Sequence, residues 1–174
     1  MANRARIVAA ARRAFDAAGP LVSLDAIARE AGVGPGTVHR HFPTKAALVD
    51  AVLGAAVADI VADAGAQRGS DEPVEALLSF LEELVVSGAA AHDLADRLGA
   101  GGDVGPAVAQ PLAELKEELR ALLERAQRAG GVRTDLDEGA LAAVVAAGHA
   151  AYVHPTGGRL AARVVLDGLR VRPS

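Results

Sequence analysis

The chain has 174 residues and no cysteine, which excludes disulfides, thiolate metal sites and thiol nucleophiles. Hydrophobic residues make up 51% of it and aromatics only 2%; the apolar share is mostly Ala, Val and Leu, with no β-branched alternating run, so an all-α fold is expected. The formal net charge of −4 argues against a nucleic-acid partner, yet residues 1–50 carry seven Arg or Lys against four Asp or Glu, and residues 51–174 carry eleven against eighteen. A basic head on an acidic body suits a DNA reader joined to a second module, divided at 1–50 and 51–174. The opening residues lack the apolar core of a signal peptide, and the longest near-apolar run, 140–153, is too short for a bilayer. The expected setting is cytoplasmic, with no membrane partner.

In chain order, the first helix is expected from about Asn3 to Ala18, with Ile7, Ala10, Ala11, Ala14 and Phe15 on one face and Gly19-Pro20 as the stop. Ser23 is placed to cap a short second helix that Gly32 ends. A third short helix fits Pro35 to Phe42, since proline in a first turn gives up an amide that has no partner anyway. Thr44 caps a fourth, from Lys45 to about Ala66, with Leu48, Val52, Leu53 and Val57 as its apolar positions. Gly65 to Pro73 reads as a hinge. Val74, Leu77, Leu78, Leu81, Leu84 and Val85 form the next apolar stripe, and His92-Asp93 with Asp96-Arg97 read as surface polar residues on a short helix. After a Gly-rich loop, 99–106, a long helix carries Leu112, Leu115, Leu119, Leu122 and Leu123 and ends before Gly130-Gly131, with Pro111 either in its first turn or at a kink. Asp135 and Glu138 resemble a capping box for a helix to about Val153 that is apolar nearly all round. A turn at 155–158 and a last helix from about Arg159 to Leu169 complete the chain.

The stretch from Ser23 to Lys45 carries the chemistry. Two short helices flank a tight glycine-containing turn, and Ile27, Ala28, Ala31, Val33 and Val38 can form a small core between them. Thr37, His39, Arg40 and His41 then face outward on a helix of a size that fits the major groove. Gly34 and Gly36 leave room for backbone amides to approach phosphates. This segment, with Ala31-Gly32-Val33 as the turn and Phe42-Pro43-Thr44-Lys45 as the ending, resembles the signature of TetR-family regulators. The likeness covers about residues 4–53, including Ala10, Phe15 and Gly19. It implies an N-terminal three-helix DNA-binding domain followed by a helical ligand-binding and dimerisation domain, with a recognition helix at 35–41. Carried over by position, it implies DNA contacts from Pro35, Gly36, Thr37, His39 (where the family usually has Tyr) and His41, a variable contact from Arg40, and phosphate contacts from Ser23 and Lys45. The family's usual Thr after Ser23 is Leu24 here.

One short recognition helix reads too few bases for useful specificity, so a homodimer on a palindromic double-stranded operator is expected. The Ala-rich helix near 138–153, together with the last helix, is the expected dimer interface, with Ala142, Ala143, Ala146, Ala147 and Gly148 permitting close approach. The resemblance further implies a small-molecule effector pocket in the C-terminal half, and the scarcity of aromatics predicts an apolar or modest one lined by Leu, Val and Phe80. His149 and Tyr152, three apart on one face, either meet that ligand or hydrogen-bond within a helix interface. No cofactor, metal site or acid–base constellation is expected, so the reading is a ligand-released repressor rather than an enzyme. The rival is a helical interaction protein that does not bind DNA.

Overall fold

The computed structural model describes residues 2–18, 21–97 and 105–171, with the backbone alone described over 88–97. Gly19-Pro20, most of the Gly-rich loop and the side chains of His92, Asp93, Asp96 and Arg97 therefore lie outside the described residues. Eight helices are present there: α1 (Ala2–Ala18), α2 (Leu24–Ala31), α3 (Pro35–His41), α4 (Lys45–Gln67), α5 (Pro73–Arg97), α6 (Pro106–Arg128), α7 (Glu138–Val153) and α8 (Arg159–Asp167). The short helix expected near residue 92 is the end of α5. The chain forms two compact units, Met1–Val57 with Ala91–Pro111 and Ala58–Ala90 with Leu112–Ser174.

In the first unit the helix ends follow from local chemistry. Ser23 has extended backbone, and its hydroxyl accepts from the Ala26 amide, closing the start of α2. Gly32 ends α2 in the left-handed region at φ 64°, where a Cβ would be strained. Thr44 Oγ1 accepts from the Ala47 amide at 3.1 Å and starts α4. Ile7, Ala10, Ala11 and Phe15 of α1 pack with Ile27 and Ala28 of α2, Val38 of α3, Phe42, and Leu48 and Val52 of α4 into one buried core. Each large side chain fully buried there contributes roughly 1.5–3 kcal/mol. Arg6 adds a polar tie from α1, donating to the carbonyls of Ala31 at 2.7 Å and Gly32 at 3.3 Å; these belong to the end of α2, which lacks helical donors.

The same unit holds a close crossing of α4 and the first turn of α6. A Cβ on Gly54 would lie 2.3 Å from the Ala107 carbonyl oxygen, so only glycine fits there. Pro111, inside α6, has no amide to offer that carbonyl. Four residues before Gly54, Asp50 Oδ2 accepts from the Ala107 amide at 3.0 Å, capping α6 from a neighbouring helix. Among the described residues its other oxygen is buried without a hydrogen-bond partner.

In the second unit, the stripe on α5 is buried at Leu77, Leu78, Leu81, Leu84 and Val85, and Leu115, Leu122 and Leu123 of α6, Leu141 of α7 and Ala162 and Leu166 of α8 are buried as well. The Gly65–Pro73 segment is a fastened turn. Arg125 of α6 donates to the carbonyls of Gln67, Arg68 and Ser70, and both flanks of the segment lie in this unit. An antiparallel bridge between Val132 and Arg170 joins the α6–α7 connection to the residue stretch after α8. Ionic contacts hold α8 and the stretch after it to α5, with Arg163 on Glu82 at 2.7 Å and Arg170 on Glu75 at 2.8 Å.

Two sequence expectations are corrected here. The residue that caps α7 is Asp137, which accepts from the Ala140 amide at 2.8 Å. Asp135 is instead taken by the forked guanidinium of Arg133, at 2.8 and 2.6 Å, and that bidentate pair leaves Asp135 unable to turn to the helix. Gly148 faces inward, where a Cβ would come within 2.9 Å of Val85 Cγ2. It serves packing within the chain, whereas Ala142, Ala143, Ala146 and Ala147 are exposed.

Candidate nucleic-acid interface

The recognition helix is fixed from its inner side. Val38 (1% exposed) and Phe42 (2% exposed) anchor α3 in the core, and their four-residue spacing puts both on one face. The opposite face carries the residues expected from sequence. Pro35, Gly36, His39, Arg40 and His41 are exposed and Thr37 is half-buried. Gly34 caps the helix without a side-chain bond, leaving its amide-bearing end unobstructed by a side chain.

Arg40 lies back along its own helix. Its Nε donates to the Gly36 carbonyl and its Nη2 to the Thr37 hydroxyl, each at 3.3 Å. The guanidinium thereby spans one turn of the outward face and joins two expected contact positions into one polar group. His41 sits with its ring centroid 6.4 Å from that of Phe42. Lys45, at the start of α4, is half-buried, with its ammonium 6.0 Å above the centre of the Phe15 ring. Ser23 is exposed at the start of α2. All eight positions belong to the first unit. Sequence reasoning did not place Arg4 or Arg6; the basic count over residues 1–50 included both without assigning either a position.

The second unit holds the other candidates. Phe80 is buried on α5 (3% exposed), and His149 and Tyr152 are half-buried on α7. The cleft between α5 and the α8 region, about 210 Å³, is lined by Glu75, Leu78, Ser79, Glu82, Arg163, Leu166, Asp167 and Arg170, without these three. Its walls are tied by the α8–α5 ion pairs, and hydrogen bonding to Glu82 raises the Arg163 pKa above its ordinary value. That surface is already satisfied by its own charges. Among the described residues no group of three or more His, Asp or Glu gathers to hold a metal ion, and no helix is long and apolar enough to cross a membrane.

A short polar helix held against a buried three-helix scaffold, after a turn closed by a left-handed glycine, is the arrangement of helix-turn-helix DNA-binding regulators. Residues 7–52 match the bacterial regulatory proteins of the tetR family, and residues 72–171 match the C-terminal domain of SbtR-like transcriptional regulators. A solved TetR transcription regulatory protein from Mycobacterium vanbaalenii is 42% identical over 98% of this chain and 96% of that one, with a TM-score of 0.74. A TetR transcriptional regulator from Streptomyces coelicolor is 31% identical over 98% of this chain and 99% of that one, also with a TM-score of 0.74. RolR, solved with resorcinol, shares the fold at 23% identity over 96% of this chain and 87% of that one, TM-score 0.61. No curated protein matches. The chain belongs to the TetR family of transcriptional regulators. It is a DNA-binding transcription factor and not an enzyme.

Proposed function

We propose that the protein is a cytoplasmic, ligand-released repressor that binds a palindromic operator as a homodimer, with residues 1–50 as the reader and 51–174 as the dimerisation and effector half. The observation that carries this reading is the two-sided character of α3: Val38 and Phe42 are buried, while Pro35, Gly36, His39, Arg40 and His41 face solvent. That outward row, with Thr37, enters the major groove. Thr37 and Arg40 meet base edges, His39 and His41 meet phosphates or bases, and Ser23 and Lys45 hold the backbone on either side.

Dimerisation is supported by an apolar face that this chain leaves uncovered. On α7 it comprises Ala142, Ala143, Ala146, Ala147, Ala150 and Val153. On α8, Leu160 (77% exposed) and Val164 (66% exposed) lie one turn apart. Two copies of α7 and α8 joined across a twofold axis would cover these residues as a four-helix interface. The effector is a small molecule bound in the C-terminal half near Phe80, His149 and Tyr152; RolR with resorcinol is a precedent in the fold. Its binding favours a dimer whose two recognition helices no longer match the operator spacing.

The test is the double substitution His39→Ala with Arg40→Ala. It is expected to abolish sequence-selective binding while sedimentation still reports a dimer. Unchanged operator affinity in a folded double variant would overturn the proposed docking of α3.

A further inference from the structure

Three arginines of α1 have separate tasks. Arg6 is engaged with the carbonyls at the end of α2, at 2.7 and 3.3 Å. Arg13 is paired with Glu30 at 3.0 Å. Arg4 is exposed, and no hydrogen bond or carboxylate engages it among the described residues. Its guanidinium carbon instead stands 5.3 Å from the centre of the Phe42 ring.

Phe42 is a suitable platform. It is buried, it follows the last residue of α3, and its amide donates to the Val38 carbonyl at 2.8 Å. Its position is therefore set by the recognition helix. A guanidinium attracted to an aromatic ring is oriented without any of its N–H donors being used. Those donors remain available in the planar fork that matches a phosphate. The result is a cation oriented beside the end of α3, on a helix outside the helix-turn-helix motif.

We propose that Arg4 is a DNA-backbone contact, a phosphate clamp oriented by Phe42 and set in register with the recognition helix. The inference rests on the reading of α3 as the groove-entering element and adds a positioning residue to it. A phosphate contact fixes register and carries no base information, so Arg4 strengthens binding to all sequences alike.

The salt dependence of binding tests this. Full-length protein is titrated against a labelled mixed-sequence duplex over a range of NaCl concentrations, comparing wild type, Arg4→Ala, Arg4→Lys and Arg13→Ala, each checked for folding by circular dichroism. For Arg4→Ala the slope of log K against log salt is expected to become shallower by about 0.9 per protomer on the duplex. Arg4→Lys keeps the charge and most of the slope, and Arg13→Ala, which removes the same charge from the same helix, leaves the slope in place. An unchanged slope in Arg4→Ala, or an equal loss in Arg13→Ala, would overturn the clamp while leaving α3 as the reader. If wild type itself shows no salt-sensitive binding to any duplex, the reading of α3 falls, and the clamp with it.

Discussion

Substituting Ala at Gly54 and at Gly65 should change stability in opposite directions, although both glycines lie in α4. At Gly65 an added Cβ meets nothing within 4 Å. The substitution gains helix propensity, up to about 1 kcal/mol and less near a helix end. At Gly54 the same methyl would stand 2.3 Å from the Ala107 oxygen and 2.7 Å from its carbonyl carbon. Both are backbone atoms of α6, so no rotamer change relieves the contact and a helix must shift. Overpacking of this kind costs about 1–3 kcal/mol, and the depth of the overlap places it toward the upper end. After the propensity gain, a net loss of about 1–2 kcal/mol remains, or several degrees in Tm for a chain of this size. Urea denaturation at one fixed protein concentration measures it, since association would otherwise shift the midpoint. If Gly54→Ala is as stable as wild type, or matches Gly65→Ala, the α4–α6 crossing described here is wrong.

Two further outcomes concern charge and assembly. Hydrogen bonding to Arg133 holds the Asp135 carboxyl below its usual range, so the small stabilisation from this exposed pair is complete above the ordinary carboxylate range and vanishes as pH falls through the depressed value. An NMR titration should show Asp135 returning to an ordinary pKa in Arg133→Ala; an unmoved titration would remove that pair from the account. Leu160→Glu with Val164→Glu should give a folded monomer by sedimentation with weaker operator binding, and a persistent dimer would place the interface elsewhere.

The elements legible in the sequence were those whose signals are local. Ser23, Gly32, Pro35 and Thr44 each act on residues within three or four positions, and the boundaries of α2 and α3 and the start of α4 follow from them. The inner stripe of α5 was legible because its polar face contrasts with it. What escaped was set by distant partners. Asp50 caps a helix 57 positions away, and Arg125 closes a turn that glycines alone mark as a hinge. Asp135 and Asp137 offer the same chemistry two residues apart, and only the reach of Arg133 separates their roles. On α7, apolar on nearly every side, periodicity does not distinguish the face packed on Val85 from the face left open, and only the contact with Val85 puts Gly148 on the inner one. In the recognition helix, the pattern identified which residues face outward. It gave no sign that Arg40 would lie on Thr37, because that depends on a rotamer.

The central claim is that two copies of α3 read DNA together. Selection of bound sequences from a random duplex pool tests it most directly. The expected result is an inverted repeat whose half-sites lie about one helical turn, or a multiple of it, apart, enriched by wild type and lost with His39→Ala and Arg40→Ala. Recovery of no common sequence, or of a single unrepeated half-site, would contradict the account.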